Sequence, residues 1–316
     1  MKWFSFNKSI SLVLGAFFLL SFLVCGVAYV VLREFTFVHD YVIYGKSQRD
    51  LAKEIRVELL KRPDIKEVSF YSKEDIKLSG FLLKRQNATA NVLLCHGYRV
   101  SKEFMYGFLD MFPKFNLLLF DFRAHGQSEG SVISVGCHEY KDIIAASHYL
   151  RDTTKMAGGK DLPMIILGIS MGGACALRAL AINPDLADVL IIDSAYADLH
   201  KMLLKGFALK SGLPYYPFFP VVRWMFQYFA SCDVKEMNTI ECSKKIKIPV
   251  FFIHACNDQF ISPNHSVKLY ANSASRYSQI WIGPRCKHGW LHSHHPEFYK
   301  NKVTQFLSVA LPGVQV

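Results

Sequence analysis

Six short apolar runs set the architecture of this chain: "NVLLCH" (91–96), "NLLLFDF" (116–122), "PMIILGIS" (163–170), "DVLIIDS" (188–194), "PVFFIHA" (249–255) and "SQIWIG" (278–283). Each is near-continuously apolar where a half-exposed strand would alternate, which is the pattern of a strand covered on both faces. Stretches with helical spacing fill the gaps at about 103–112, 138–152, 171–182, 264–272 and 296–308. Strand and helix in alternation predict an α/β fold with a mostly parallel, doubly wound sheet. Ahead of it, "EVSFYSKEDIKLSGFLLKR" (67–85) alternates like a two-stranded antiparallel hairpin.

The amino-terminal part obeys different rules. From Ser9 to Leu32 the chain has no charged residue, and 24 residues at the helical rise span about 36 Å, more than the roughly 30 Å hydrocarbon core. The run is longer than a usual signal core, so a single-pass membrane anchor is the first expectation. A secretory signal cleaved near Gly26-Val27-Ala28 and a lipidated Cys25 are the alternatives. Lys2 and Lys8 on one side compete with Arg33, Lys46, Arg49 and Lys53 on the other. Of the two sides, the extracytoplasmic one is expected to carry the folded domain. The formal net charge of +11 favours anionic lipid surfaces. No block of basic residues interleaved with aromatics points to nucleic acid.

Residues 1–8 are thus read as a flank, 9–32 as the span, and 33–66 as a tether (33–46) with a helix over 47–62 that Pro63 stops. A core follows in two parts, 67–196 and 249–316. Between them, residues 197–248 contain "GLPYYPFFPVVRWMFQYFA", which is aromatic and broken by prolines. This insertion is either a core-packing excursion or a lid over an apolar substrate pocket.

In an open parallel sheet, functional groups gather beyond the carboxyl ends of the strands. "GISMGG" (168–173) follows one strand directly and leads into a helix, as a G-x-S-x-G elbow does. Side chains two before and two after Ser170 would collide there, which explains Gly168 and Gly172, while Gly173 allows close packing of the helix that follows. A serine hydroxyl needs a base, and the base needs a carboxylate to hold its tautomer. "RCKHGWLHSHHPEF" offers His288 first and His292 second. A metal site built from His288, His292, His294 and His295 lacks a suitably spaced carboxylate or cysteine. Asp258, three residues past "PVFFIHA", is the candidate acid; Asp193 competes, but sits on its strand. The N–H groups of Met171 and Tyr98 are placed to meet an oxyanion. His96, Asp121, Arg123 and His125 read as groups that brace loops.

These stretches, "LLCHGY", "LLFDFRAHGQSEG", "ILGISMGG", "VLIIDSAY", "PVFFIHACNDQFISP" and "CKHGWLHSHHPEFY", occur in an order that resembles the α/β-hydrolase superfamily, in particular its serine-aminopeptidase-like and monoglyceride-lipase-like branch. The resemblance covers roughly residues 67–310. It implies an α/β-hydrolase fold with a small helical cap and a Ser170–Asp258–His288 triad. It also implies hydrolysis of esters or thioesters, with no cofactor and no metal. The family's usual glycine after the histidine of its "HG-x-x-D" loop is replaced by Ala255, although the spacing to Asp258 is kept. With the anchor and the aromatic insertion, a small-molecule or lipid-like ester with an apolar acyl group is the expected substrate. The alternatives are an aminopeptidase or amidase of the same superfamily and a non-catalytic, membrane-tethered binding protein.

Eight cysteines are scattered without a C-x-x-C pair. Cys95 and Cys175 read as buried thiols. Cys137, Cys232, Cys242 and Cys286 are open to pairing if the domain faces an oxidising compartment.

Overall fold

A computed structural model describes residues 2–36, 46–155 and 161–314. The expected tether falls largely on 37–45, outside the described residues. Helix α1 (Lys2–Thr36) runs four residues past the predicted span, and α2 (Lys46–Leu60) matches the predicted helix. Strands β1 (Ile65–Tyr71) and β2 (Lys77–Leu83) form the predicted hairpin, with Val68 opposite Gly80.

The six apolar runs become β3 (Ala90–Cys95), β4 (Phe115–Phe120), β5 (Met164–Ile169), β6 (Val189–Asp193), β7 (Val250–Ala255) and β8 (Gln279–Gly283). All eight strands lie in one sheet of order β1-β2-β4-β3-β5-β6-β7-β8. The β1–β2 and β2–β4 pairs are antiparallel, and β4, β3, β5, β6, β7 and β8 run parallel. Their near-continuous apolarity has the expected cause. In β3, Leu93 and Cys95 face one core with α3 (Tyr140–Thr154) and α4 (Met171–Ile182), while Val92 and Leu94 face the other. Each such side chain contributes about 1.5–3 kcal/mol by leaving water, so both faces stabilise every parallel strand.

The chain between β6 and β7 forms α5 (Leu199–Ser211), α6 (Tyr215–Phe229), one turn of 3-10 helix at Val234–Glu236 and α7 (Thr239–Ser243). Asp198 caps α5 by accepting from the Lys201 N–H at 3.0 Å, and Gly212 ends it in the left-handed conformation. Helices α8 (Asn264–Ala271), α9 (Leu291–His294) and α10 (Pro296–Ala310) complete the fold. The helix expected over 103–112 is instead a short 3-10 segment, Lys102–Phe108. Lys102 is pulled inward to pair with the buried Asp121 at 2.5 Å, and Pro113 follows within a turn or two. A buried ion pair at one end and a proline at the other leave no room for a longer helix.

Helix α1 differs from the rest. Residues Ile10–Glu34 are long and apolar enough to cross a membrane, with a mean hydropathy of 2.6. Leu12, Phe17, Phe18, Leu20 and Phe22 are exposed, whereas Val24, Ala28 and Leu32, spaced four apart on one face, are covered by the folded domain. Its end is tied down as well, because the Ile133 N–H donates to the Thr36 carbonyl at 2.8 Å.

Candidate active site

Strand β5 delivers Ser170 to the carboxyl edge of the sheet, and the turn into α4 holds it at φ 54°, ψ −114°. For a residue with a side chain this is a strained conformation, maintained by its surroundings. One restraint is the Ser170 N–H, which donates to the Asp193 carbonyl of β6 at 2.7 Å. The glycines supply the others. A methyl group on Gly168 would stand 2.5 Å from the Gly173 nitrogen and 2.6 Å from the Gly172 carbonyl carbon. On Gly172 it would strike the carbonyl oxygens of Cys95 and His96, and on Gly173 it would meet Ile192 at 2.8 Å. The elbow is therefore compressed from three sides, against itself, β3 and β6.

Around Ser170 the candidate groups converge. The Ser170 hydroxyl donates to His288 Nε2 at 2.9 Å, and His288 Nδ1–H donates to Asp258 Oδ2 at 2.6 Å. His288 lies on the loop after β8, and Asp258 on the loop after β7. The departure at Ala255 leaves this path intact, because the Asp258 N–H still closes a turn onto the Ala255 carbonyl at 3.3 Å. Asp258 Oδ1 accepts from the N–H groups of Phe260 and Ile261, both at 2.9 Å. Burial opposes ionisation of this carboxyl, yet hydrogen bonds from His254, His288 and Ile261 outweigh it and hold its pKa well below the usual carboxylate range.

Met171 is the first residue of α4, so its N–H has no acceptor within the helix and points with the positive end of the helix dipole. Tyr98 follows Gly97, whose Cα face packs on Ser170: a methyl there would stand 3.5 Å from the Ser170 Cβ. The expected donors are thus the residue after Ser170 and the residue after the glycine that packs on it.

The competing readings separate cleanly. Asp193 is buried, its Oδ1 accepting from the Ser194 hydroxyl at 2.7 Å, and burial pushes its pKa up. It touches Ser170 through its backbone and is not the partner of His288. His292 stacks on Phe108 at 4.5 Å, and burial lowers its pKa to about 4. His288, His292, His294 and His295 turn to different partners, and among the described residues no group of three or more His, Cys, Asp or Glu is arranged to hold a metal ion. His96 is buried with its pKa lowered to about 3. Its Nδ1–H donates to the Gly97 carbonyl at 2.7 Å and its Nε2 accepts from the Phe122 N–H at 3.1 Å, bracing the turn that carries Tyr98. Asp121 accepts from Lys102 and Gln127, and Arg123 forks onto Asp142, so these residues also brace loops.

Two neighbours escaped the reading of the sequence. His254, buried inside β7, lies 3.2 Å from Asp258 Oδ2 while its Nε2–H donates to the Ile261 carbonyl at 2.8 Å. Its only local signal was a histidine within an otherwise apolar strand, four residues before an aspartate. Phe260 places its ring edge-on to His288 at 5.2 Å, next to an apolar cavity.

Residues 86–227 match the family model described as serine aminopeptidase, S33. A solved esterase, Pf2001 of Pyrococcus furiosus, superposes with a TM-score of 0.63 at 25% identity, over 78% of this chain and 93% of that one. The chain has the α/β-hydrolase fold. Among relatives, YqkD of Bacillus subtilis is 28% identical over 238 residues, covering 74% of this chain and 75% of its own. The Saccharomyces cerevisiae membrane protein YNL320W is 23% identical, over 70% and 72%. The chain also has a disulfide, Cys137–Cys232, which joins the loop before α3 to the end of α6. Of the pairing candidates left open, Cys242 and Cys286 are free thiols, and Cys95 and Cys175 are buried thiols.

Proposed function

We propose that this α/β-hydrolase is a membrane-anchored serine hydrolase that cleaves carboxylic esters or thioesters with an apolar acyl group. The observation that carries this reading is the unbroken hydrogen-bonded series from Asp258 through His288 to Ser170, at 2.6 and 2.9 Å. In the proposed mechanism His288 Nε2 takes the hydroxyl proton as Ser170 Oγ attacks the carbonyl carbon, and Asp258 fixes the tautomer and stabilises the imidazolium. The N–H groups of Tyr98 and Met171 receive the oxyanion. Collapse breaks the ester bond, and His288 returns the proton to the leaving alkoxide or thiolate. Water, with His288 again as base, then releases the acid from the acyl-enzyme.

In the same reading, residues 67–196 and 249–316 make the catalytic core, residues 197–248 a cap, and α1 a single-pass anchor. A yeast relative named as a membrane protein supports the anchor. The Cys137–Cys232 disulfide supports a catalytic domain on the extracytoplasmic side, since such bonds persist in oxidising compartments. Against an aminopeptidase, the charged residues on the wall of the neighbouring cavity are Lys210 and Arg223, which repel a substrate ammonium.

Treatment with a fluorophosphonate probe tests the proposal. Wild type labels and Ser170→Ala does not; equal labelling of both, or of neither, refutes it. Turnover of an amino-acid anilide faster than of a matched ester favours the aminopeptidase.

A further inference from the structure

The apolar cavity beside the candidate site has a volume of about 320 Å³, within the range of small-molecule pockets. Its lining includes Tyr98, which follows the Gly97 that packs on Ser170, and Phe260, which lies against the His288 ring. Phe207 of α5 and Phe226 of α6, both buried, form its sides. The next wall residue comes from far away in sequence: Leu32 of α1, which is fully covered. The helix with the composition of a membrane span is therefore also a wall of the cavity.

The cavity reaches the surface where its wall residues Leu209, Lys210 and Arg223 are exposed. Helix length locates this rim relative to a bilayer. The apolar stretch Ile10–Glu34 has 25 residues, about 37 Å of helix, against a hydrocarbon core of about 30 Å. A core beginning at Ile10 ends near Tyr29 or Val30. The contacts between α1 and α6 begin at that depth and below it: Tyr29 lies against Phe229 at 6.1 Å, and Val24 is covered by the domain. Five residues separate Val24 from Tyr29, so the part of the folded domain that covers this face of α1, where α6 packs against it, reaches roughly 5–10 Å beneath the surface, the usual depth of an interfacial helix. Its outer face carries what such a helix carries. Trp224 and Tyr228 are exposed and stacked on each other at 6.0 Å, Tyr216 and Arg223 are exposed beside them, and Leu209 and Lys210 are exposed on the neighbouring α5, the aromatic and cationic mix that favours a lipid interface.

We infer that the cavity is an acyl-chain pocket completed by the membrane helix and opening into the bilayer surface, so that the substrate is an acyl lipid drawn from the surrounding leaflet along α1. This rests on the serine-hydrolase reading of Ser170, His288 and Asp258. A membrane-resident acyl ester places its chain between α1, α5 and α6 and its carbonyl at Ser170, while its headgroup stays beside Lys210 and Arg223. The anchor then supplies specificity as well as attachment.

The test uses the full-length protein in phosphatidylcholine nanodiscs and reads the ratio of kcat/KM for p-nitrophenyl decanoate to that for p-nitrophenyl acetate. Leu32→Trp, which fills the cavity, lowers this ratio at least tenfold. Leu32→Ala, which enlarges it, moves the preferred chain length upward. Val30→Trp, on the exposed face of α1, changes neither rate. Fluorophosphonate labelling of each variant reports folding, and the two Leu32 changes push in opposite directions, so loss of one by misfolding leaves the other to decide. An unchanged chain-length profile in both Leu32 variants overturns the pocket. For the source of substrate, the double variant Trp224→Ser, Tyr228→Ser lowers hydrolysis of a fluorogenic acyl ester dissolved in phosphatidylcholine vesicles at least fivefold relative to p-nitrophenyl acetate. An unchanged ratio, with a soluble acyl thioester used as well as the vesicle-borne ester, overturns the bilayer route. Failure of the underlying reading looks different, because wild type then neither hydrolyses acetate nor takes the fluorophosphonate.

Discussion

The carboxyl edge of the sheet and the helices α5 and α6 beside α1 satisfy their residues in opposite ways. At the sheet edge, Ser170, Asp258, His96 and Asp193 are buried and each is held by named partners within the chain. On α6, Trp224, Tyr228 and Tyr216 are large, aromatic and exposed, and the residues near Val24 on α1 are covered on one face only. One region is finished by the protein itself. The other has a surface that only an apolar solvent or ligand completes. In the reading proposed above, rigid geometry belongs to the first region and substrate choice to the second.

That contrast can be broken in four ways. The largest effect is expected at the sheet edge: Asp258→Asn lowers kcat by about 10³–10⁴-fold, with little change in KM, because it disturbs the tautomer of His288 and not the pocket. Steady-state kinetics on p-nitrophenyl acetate measure it, and a mere tenfold loss would remove Asp258 from the site. Next is the link between the two regions. Cys232→Ser opens the Cys137–Cys232 bridge between the core and the end of α6, costing about 2–4 kcal/mol of stability in urea unfolding. Third, Gly172→Ala drives a methyl into the Cys95 and His96 carbonyls, costing about 1–3 kcal/mol as overpacking. It also displaces Met171, so fluorophosphonate labelling slows; normal stability and labelling would show that the elbow is not compressed.

The smallest effect concerns pH. His292 titrates near 4 when folded, because it is buried, and near 6.5 when unfolded. Above pH 6.5 it is neutral in both states. As pH falls toward 4 only the unfolded chain takes up the proton, so stability drops by up to about 1.4 kcal/mol per pH unit from this group. Below 4 both states are protonated and the slope ends. His292→Phe removes one proton from the slope between pH 6.5 and 4 in thermal unfolding; identical slopes would contradict the burial argument.

The two regions also differ in how far the sequence betrays them. The six parallel strands were legible to within a residue or two, since a strand covered on both faces needs an unbroken apolar run. Ser170 and its glycines were legible because the elbow excludes side chains by contact between near neighbours. His288 and Asp258 were legible through their positions after β8 and β7. What escaped depends on distant parts of the chain. The short 3-10 segment at Lys102–Phe108 follows from a lysine reaching Asp121, and His254 matters through a contact that β7 alone does not announce. Which of four cysteines pair, and that Leu32 meets Phe226 around one cavity, are outcomes of packing between α1, α6 and the core. Period and local sterics carry the first kind of information, and no local pattern carries the second.

The central claim is that Ser170 becomes acylated by its substrate. The direct measurement is rapid acid quench of the full-length protein with p-nitrophenyl decanoate, followed by peptide mass mapping. A decanoyl group on the peptide containing Ser170, formed with a burst of p-nitrophenolate and absent in Ser170→Ala, is the predicted result. Turnover without an adduct, or an adduct on another residue, would contradict it.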